Sequence, residues 1–271
     1  MTTDDVLELH HTEIGPAGAD ADGERVVFLH GLFGQGRNFT QVAKALLPEL
    51  RSTLVDLPNH GRSPWTGSVD YVEVADAVAA WLRATYAGER VHLVGHSMGG
   101  KVAMVLALRH PDLVDRLVVV DIAPAPSDGA GEFEHLLTAL TSLDLSSLER
   151  RSDADEQLAG AIRDERVRGF LLQNLRTTAD GFRWRADLDL LLRDLPVIGG
   201  FPDLADDAVF DHPVLWMAGE RSDYVRPEHE GRMTAHFPRT VDVTIKGAGH
   251  WVHSEQPEAF VSALRVFLLA D

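Results

Sequence analysis

Apolar positions in this chain recur with two periods, and the two alternate along most of its length. Leu7 to Ile14 reads as a first strand, with Gly15 to Gly23 as its turn. Arg25 to Leu29 reads as a short buried strand ending at His30-Gly31, and Phe39 to Leu50 as a helix. Ser52 to Leu57 is the next predicted strand, stopped by Pro58 and Gly61. Tyr71, Val74, Ala75, Val78, Trp81 and Leu82 repeat at helical spacing, which predicts a helix with one face on a sheet. Arg90 to Val94 predicts a strand and Lys101 to Leu108 a helix. Leu117 to Ile122 is a continuous apolar run of the kind buried on both faces. Strands alternating with helices imply a mostly parallel sheet covered by helices on both sides.

The rhythm breaks at Pro124 and Pro126. From there to His212 the chain is rich in Leu, Arg and Asp, with helical spacing at Leu136, Leu137, Leu140 and Leu143 and no strand run. This predicts a mostly helical insertion over 125–205 within a core formed by 1–124 and 206–271. Arg150, Arg151, Arg163, Arg166 and Arg168 alternate there with acids, as on a solvated helix face. The strand–helix rhythm resumes with Val214 to Ala218, Pro227 to Phe237, Thr240 to Ile245 and a last helix over Pro257 to Leu269.

Composition narrows the chemistry. At 271 residues the chain can hold one large α/β domain with an insertion. It has no cysteine, which excludes disulfides, thiolate catalysis and Cys-based zinc sites. No histidine pair sits in an H-E-x-x-H frame, so no metal is expected. The formal net charge of −17 repels nucleic acid and anionic lipid. No window approaches the ~20 apolar residues of a membrane span. The first five residues, Met1 to Asp5, are acidic and lack a signal pattern, so a cytoplasmic location is expected.

The most specific pattern is Gly95-His96-Ser97-Met98-Gly99, set directly after a predicted strand and before a predicted helix. Strand, G-x-S-x-G and helix in that order predict a nucleophile elbow with Ser97 at its tip. A serine hydroxyl needs a base within hydrogen-bond reach. His250 is the candidate, in the small loop Gly247-Ala248-Gly249-His250-Trp251 after a strand. The base in turn needs an acid, and two aspartates compete while keeping the chain order Ser, acid, His. Asp121 ends the apolar strand directly. Asp223 lies in Gly219-Glu220-Arg221-Ser222-Asp223, one residue past the commoner spacing, where Ser222 stands. Asp121 is the favoured acid and Asp223 the alternative. Oxyanion donors are expected at the Met98 N–H and, from His30-Gly31-Leu32-Phe33-Gly34, at the Leu32 N–H. Phe133, Leu136, Leu137 and Phe170 are candidates for the acyl pocket. Gly34-Gln35-Gly36 lacks the third glycine of a nucleotide loop and is set aside.

Together these pieces resemble the α/β-hydrolase superfamily over nearly the whole chain. Asp56-Leu57-Pro58-Asn59-His60-Gly61-Arg62-Ser63, Val120 to Pro124, Gly181-Phe182-Arg183-Trp184-Arg185, Tyr224 to Pro227 and His250 to His253 resemble the YbfF-type esterases more closely. The resemblance implies a helical cap after what that family counts as its sixth strand, and the acid at Asp121. It also implies no cofactor and a small-molecule ester or thioester substrate with a short- to medium-chain acyl group. The same fold and triad also host C–C bond hydrolysis, lyase and perhydrolase chemistry, which stays as the alternative.

Overall fold

The computed structural model describes residues 6–15, 24–127, 130–205 and 207–270. The acidic first five residues and the expected turn beyond Gly15 lie outside them. The strands are β1 (His11–Ile14), β2 (Glu24–Leu29), β3 (Leu50–Val55), β4 (Val91–His96), β5 (Val114–Val120), β6 (Leu175–Thr178), β7 (Gly181–Trp184), β8 (Val214–Gly219) and β9 (Thr240–Ile245). The helices are α1 (Thr40–Ala45), α2 (Tyr71–Tyr86), α3 (Met98–Arg109), α4 (Ala130–Thr141), α5 (Arg151–Leu158), α6 (Glu165–Leu171), α7 (Leu188–Arg193), α8 (Leu195–Gly199), α9 (Glu230–His236), α10 (Val252–Glu255) and α11 (Pro257–Leu268).

Seven strands form one sheet in the order β1-β3-β2-β4-β5-β8-β9. Only the β1–β3 pairing is antiparallel; the others run parallel. Side chains alternate across the sheet, so one apolar run must feed two cores. Val27, Leu29, Leu93, Leu117, Val119 and Trp216 join the core under α2 and α3. Val26, Phe28, Val94, Val118, Leu215 and Met217 join the core under α1 and α11. The helix expected over Phe39 to Leu50 is shorter, because Pro48 cannot continue a helix and Leu50 already opens β3.

The chain between β5 and β8 carries α4 to α8 and, where the sequence shows no strand run, the antiparallel hairpin β6–β7. β5, the family's sixth strand, is fifth among the described residues. Leu136, Leu140, Leu171 and Ile198 of this segment belong to the same core as Met98 and Val102. Two buried side chains, one on α2 and one on α3, tie down the end of α8. Lys101 Nζ donates to the carbonyls of Gly199 at 2.8 Å and Gly200 at 2.6 Å, and Tyr71 Oη donates to Ile198 O at 2.7 Å. A cation suits a helix C-terminus, whose last carbonyls lack intrahelical donors. The arginine-rich stretch is not wholly solvated. Arg168 is buried, pairs with Asp155 at 2.7 Å and donates to Ile162 O at 2.9 Å.

Candidate active site

The site stands on the carboxyl ends of β4, β5 and β9. β4 hands over to α3 through Ser97, whose backbone is held at φ 53°, ψ −120°, where an L side chain is strained. The turn is too tight for side chains on its flanks. A Cβ on Gly95 would lie 2.3 Å from Gly99 O, and one on Gly99 would lie 2.4 Å from Leu29 O. Gly→Ala inside a helix ordinarily stabilises by about 0.5–1 kcal/mol. At Gly99 the sign reverses, because the clash is with backbone. Gly99→Ala is expected to cost at least about 3 kcal/mol, read as a fall in melting temperature. Melting at or above the wild-type temperature would contradict this packing.

The loop after β2 is fixed by a buried histidine. Leu57 N–H donates to His30 Nε2 at 3.0 Å, so the ring proton sits on Nδ1 and is donated to Gly31 O at 2.8 Å. Burial lowers the His30 pKa to about 4, against the opposing pull of that backbone bond. Gly34 N–H closes the turn onto Gly31 O at 2.9 Å. Gly31 comes so close to the elbow that a Cβ there would lie 3.1 Å from Ser97 Cβ. Among the described residues, neither the Leu32 N–H nor the Met98 N–H donates to a protein acceptor. Met98 opens α3, where the first N–H groups have no intrahelical partner.

His250 reaches both partners. Its Nε2 lies 3.0 Å from Ser97 Oγ, and its Nδ1 lies 2.7 Å from Asp121 Oδ2. With Asp121 accepting from Nδ1–H, Nε2 is left to accept from the serine hydroxyl. Asp121 is fully buried and sits at φ 52°. Its Oδ1 accepts the Gly219 N–H at 2.9 Å, and its Oδ2 also accepts the Ser222 hydroxyl. Asp223 is exposed, and its backbone carbonyl accepts from Arg226 Nε at 2.8 Å. The structure therefore brings Asp121 to His250 and leaves Asp223 aside.

Three contacts around His250 were not anticipated from sequence. His96 Nε2–H donates to the His250 carbonyl at 2.8 Å, and burial holds the His96 pKa well below its ordinary value. The Tyr224 ring stacks on the imidazole at a centroid distance of 4.2 Å. His253 lies among the residues that wall the cavity, with burial lowering its pKa to about 4. His96 lies inside the Gly95–Gly99 pattern and His253 inside the His250–His253 stretch, but neither motif assigns them a role. Leu32, Phe133, Leu136, Phe170 and Trp251 complete the apolar wall of the cavity above Ser97. Leu137 does not belong to it; one position further along α4, it turns fully into the core. Among the described residues no group of His, Asp and Glu is arranged to hold a metal ion, and no helix is long and apolar enough to cross a membrane.

Comparison with known proteins agrees with this architecture. A family model described as the alpha/beta hydrolase fold matches residues 24–257. The sn-1-specific diacylglycerol lipase ABHD11 of Mus musculus is 38% identical over 255 residues, spanning 92% of this chain and 82% of its own length. Esterase YbfF of Escherichia coli (strain K12) is 32% identical over 243 residues, spanning 90% of this chain and 92% of its own. A solved marine microorganism esterase superposes with a TM-score of 0.91 at 33% identity, covering 96% of this chain and 99% of that one. The chain belongs to the α/β-hydrolase fold family. Within it the chain is a YbfF-like enzyme of the carboxylic ester hydrolase class.

Proposed function

We propose that the protein cleaves carboxylic esters through an acyl-enzyme on Ser97. The observation that carries this reading is His250, placed 3.0 Å from the serine hydroxyl and 2.7 Å from the Asp121 carboxylate. Ser97 Oγ attacks the acyl carbon while His250 Nε2 takes its proton. The Leu32 and Met98 N–H groups, without protein acceptors, receive the charge that develops on the carbonyl oxygen. His250 then protonates the leaving alkoxide, and water, activated by the same imidazole, hydrolyses the acyl-enzyme. Asp121 holds the imidazole tautomer. The insertion over 125–205 serves as a cap whose Phe133, Leu136 and Phe170 contact the acyl chain. Short- to medium-chain esters and thioesters are the proposed substrates.

The test is a fluorophosphonate probe followed by peptide mapping, together with a panel of p-nitrophenyl esters, acyl thioesters and β-diketones. Labelling of the Ser97 peptide and turnover of the esters are expected. An unlabelled Ser97, or turnover confined to β-diketones, would overturn the reading.

A further inference from the structure

Two of the motifs, Asp56 to Ser63 and Gly181 to Arg185, take no part in acyl transfer, yet the fold joins them. Trp65 Nε1 donates to Arg185 O at 3.3 Å, and Asp187 N–H donates to Asn59 O at 3.0 Å. On the hairpin, Arg176 stands opposite Arg183 in register, while Arg185 bonds back to Asn174 O at 2.8 Å. Strand alternation puts Arg176, Arg183 and Arg185 on one face and leaves Leu175 and Trp184 on the other, against the core. The main domain adds Arg62 from the loop after β3 and Arg37 from the turn after β2, whose Nη2 reaches Gln173 O at 2.9 Å.

This gathering runs against the charge of the molecule. The chain has 42 acidic residues against 25 basic ones. Even so, among the described residues Arg37, Arg62, Arg176 and Arg185 form no ion pair. Arg183 has only Asp180, at 3.9 Å and 81% exposed. The buried carboxylate in their midst, Asp56, is already committed. Its Oδ1 accepts the Gly36 N–H at 2.7 Å and its Oδ2 the Arg62 N–H at 2.9 Å. Partial burial, and then repulsion from Arg62, Arg37 and Arg176, lowers the Arg185 pKa, against a smaller attraction from Asp56. Like charges set opposite one another destabilise a hairpin, so this arrangement costs the free protein stability that a bound anion would restore.

We propose that this arginine face is a second binding site, distinct from the Ser97 cavity, for a small phosphate-bearing anion. None of its arginines walls that cavity. Several guanidinium forks match the multiple charge and oxygen geometry of a phosphate better than a single carboxylate. Trp65, 55% exposed at the edge, offers a flat apolar surface to whatever the phosphate is attached to. The net charge of −17 repels an extended polyanion such as nucleic acid or an anionic bilayer, which favours a small ligand.

Titration calorimetry with inorganic phosphate and pyrophosphate at low ionic strength tests this. Pyrophosphate is expected to bind more tightly than phosphate, and both to weaken as salt rises. Arg62→Gln and Arg176→Gln are each expected to weaken pyrophosphate binding about tenfold, and together about a hundredfold. Without ligand the double variant should melt at or above the wild-type temperature, since a repulsion is removed. Ser97→Ala and Arg150→Gln should bind like wild type, which separates this site from the acyl-transfer reading. Absence of pyrophosphate binding by the wild-type protein, or equal affinity in the double variant, would overturn the proposal. So would binding to phosphatidylglycerol vesicles with no response to pyrophosphate.

Discussion

Ser97→Ala is expected to reduce p-nitrophenyl ester turnover by on the order of 10⁴-fold or more, with little change in melting temperature. The size follows from what the substitution removes. In the proposed mechanism the hydroxyl 3.0 Å from His250 Nε2 is the attacking atom, and that cavity wall offers no other hydroxyl among the described residues. What survives is the contribution of the oxyanion donors and of substrate positioning, which remains when the nucleophile is deleted. The fold should tolerate the change. The alanine keeps the Cβ that Gly31 packs against, and the strained backbone is set by β4, α3 and the Ser97 N–H bond to Val120 O at 3.0 Å. Turnover within about tenfold of wild type would remove Ser97 from the mechanism.

The second large effect separates the two aspartates. Asp121→Asn is expected to lower kcat by about 10⁴-fold, because an amide facing Nδ1 can impose the wrong imidazole tautomer. Asp223→Asn is expected to stay within about threefold, as for an exposed side chain away from a partner. Comparing kcat for the two variants on one ester decides the matter. A large loss in Asp223→Asn with a small one in Asp121→Asn would reverse the assignment. Ser222 ties the later position to the favoured acid. It occupies the commoner acid slot, and its hydroxyl donates to Asp121 Oδ2, the same oxygen that faces His250 Nδ1.

Much of this was legible because the signals are local. A strand buried on both faces must be apolar throughout, so β4, β5 and β8 announced themselves within a residue or three. The elbow was legible for a related reason: a turn in which a Cβ would lie 2.3 Å from a carbonyl leaves only glycine at its flanks. The rest depended on non-local packing. Which of Asp121 and Asp223 reaches His250 depends on the β5–β8 register, which sets the Gly219 N–H against Asp121. Leu136 and Leu137 look alike in sequence, and only the pitch of α4 sends one to the cavity and the other to the core. The hairpin β6–β7 escaped notice because its strands are four residues each and half polar. The alternation of Phe182 and Trp184 with Arg183 and Arg185 was nonetheless present.

The order of strands in the sheet also bears on how the catalytic apparatus comes into being. His250 and Ser97 lie 153 residues apart in sequence, and β8 and β9, which lead to the histidine, follow the other described strands along the chain. Contacts of such long range carry the largest loop-closure entropy and dominate the slow part of folding. A nascent or partly refolded chain can therefore hold a complete elbow, with Ser97 already strained into place, while lacking any base to activate it. On the proposed mechanism, hydrolysis awaits the docking of β8 and β9 onto β5, and an incompletely folded molecule is expected to be chemically silent.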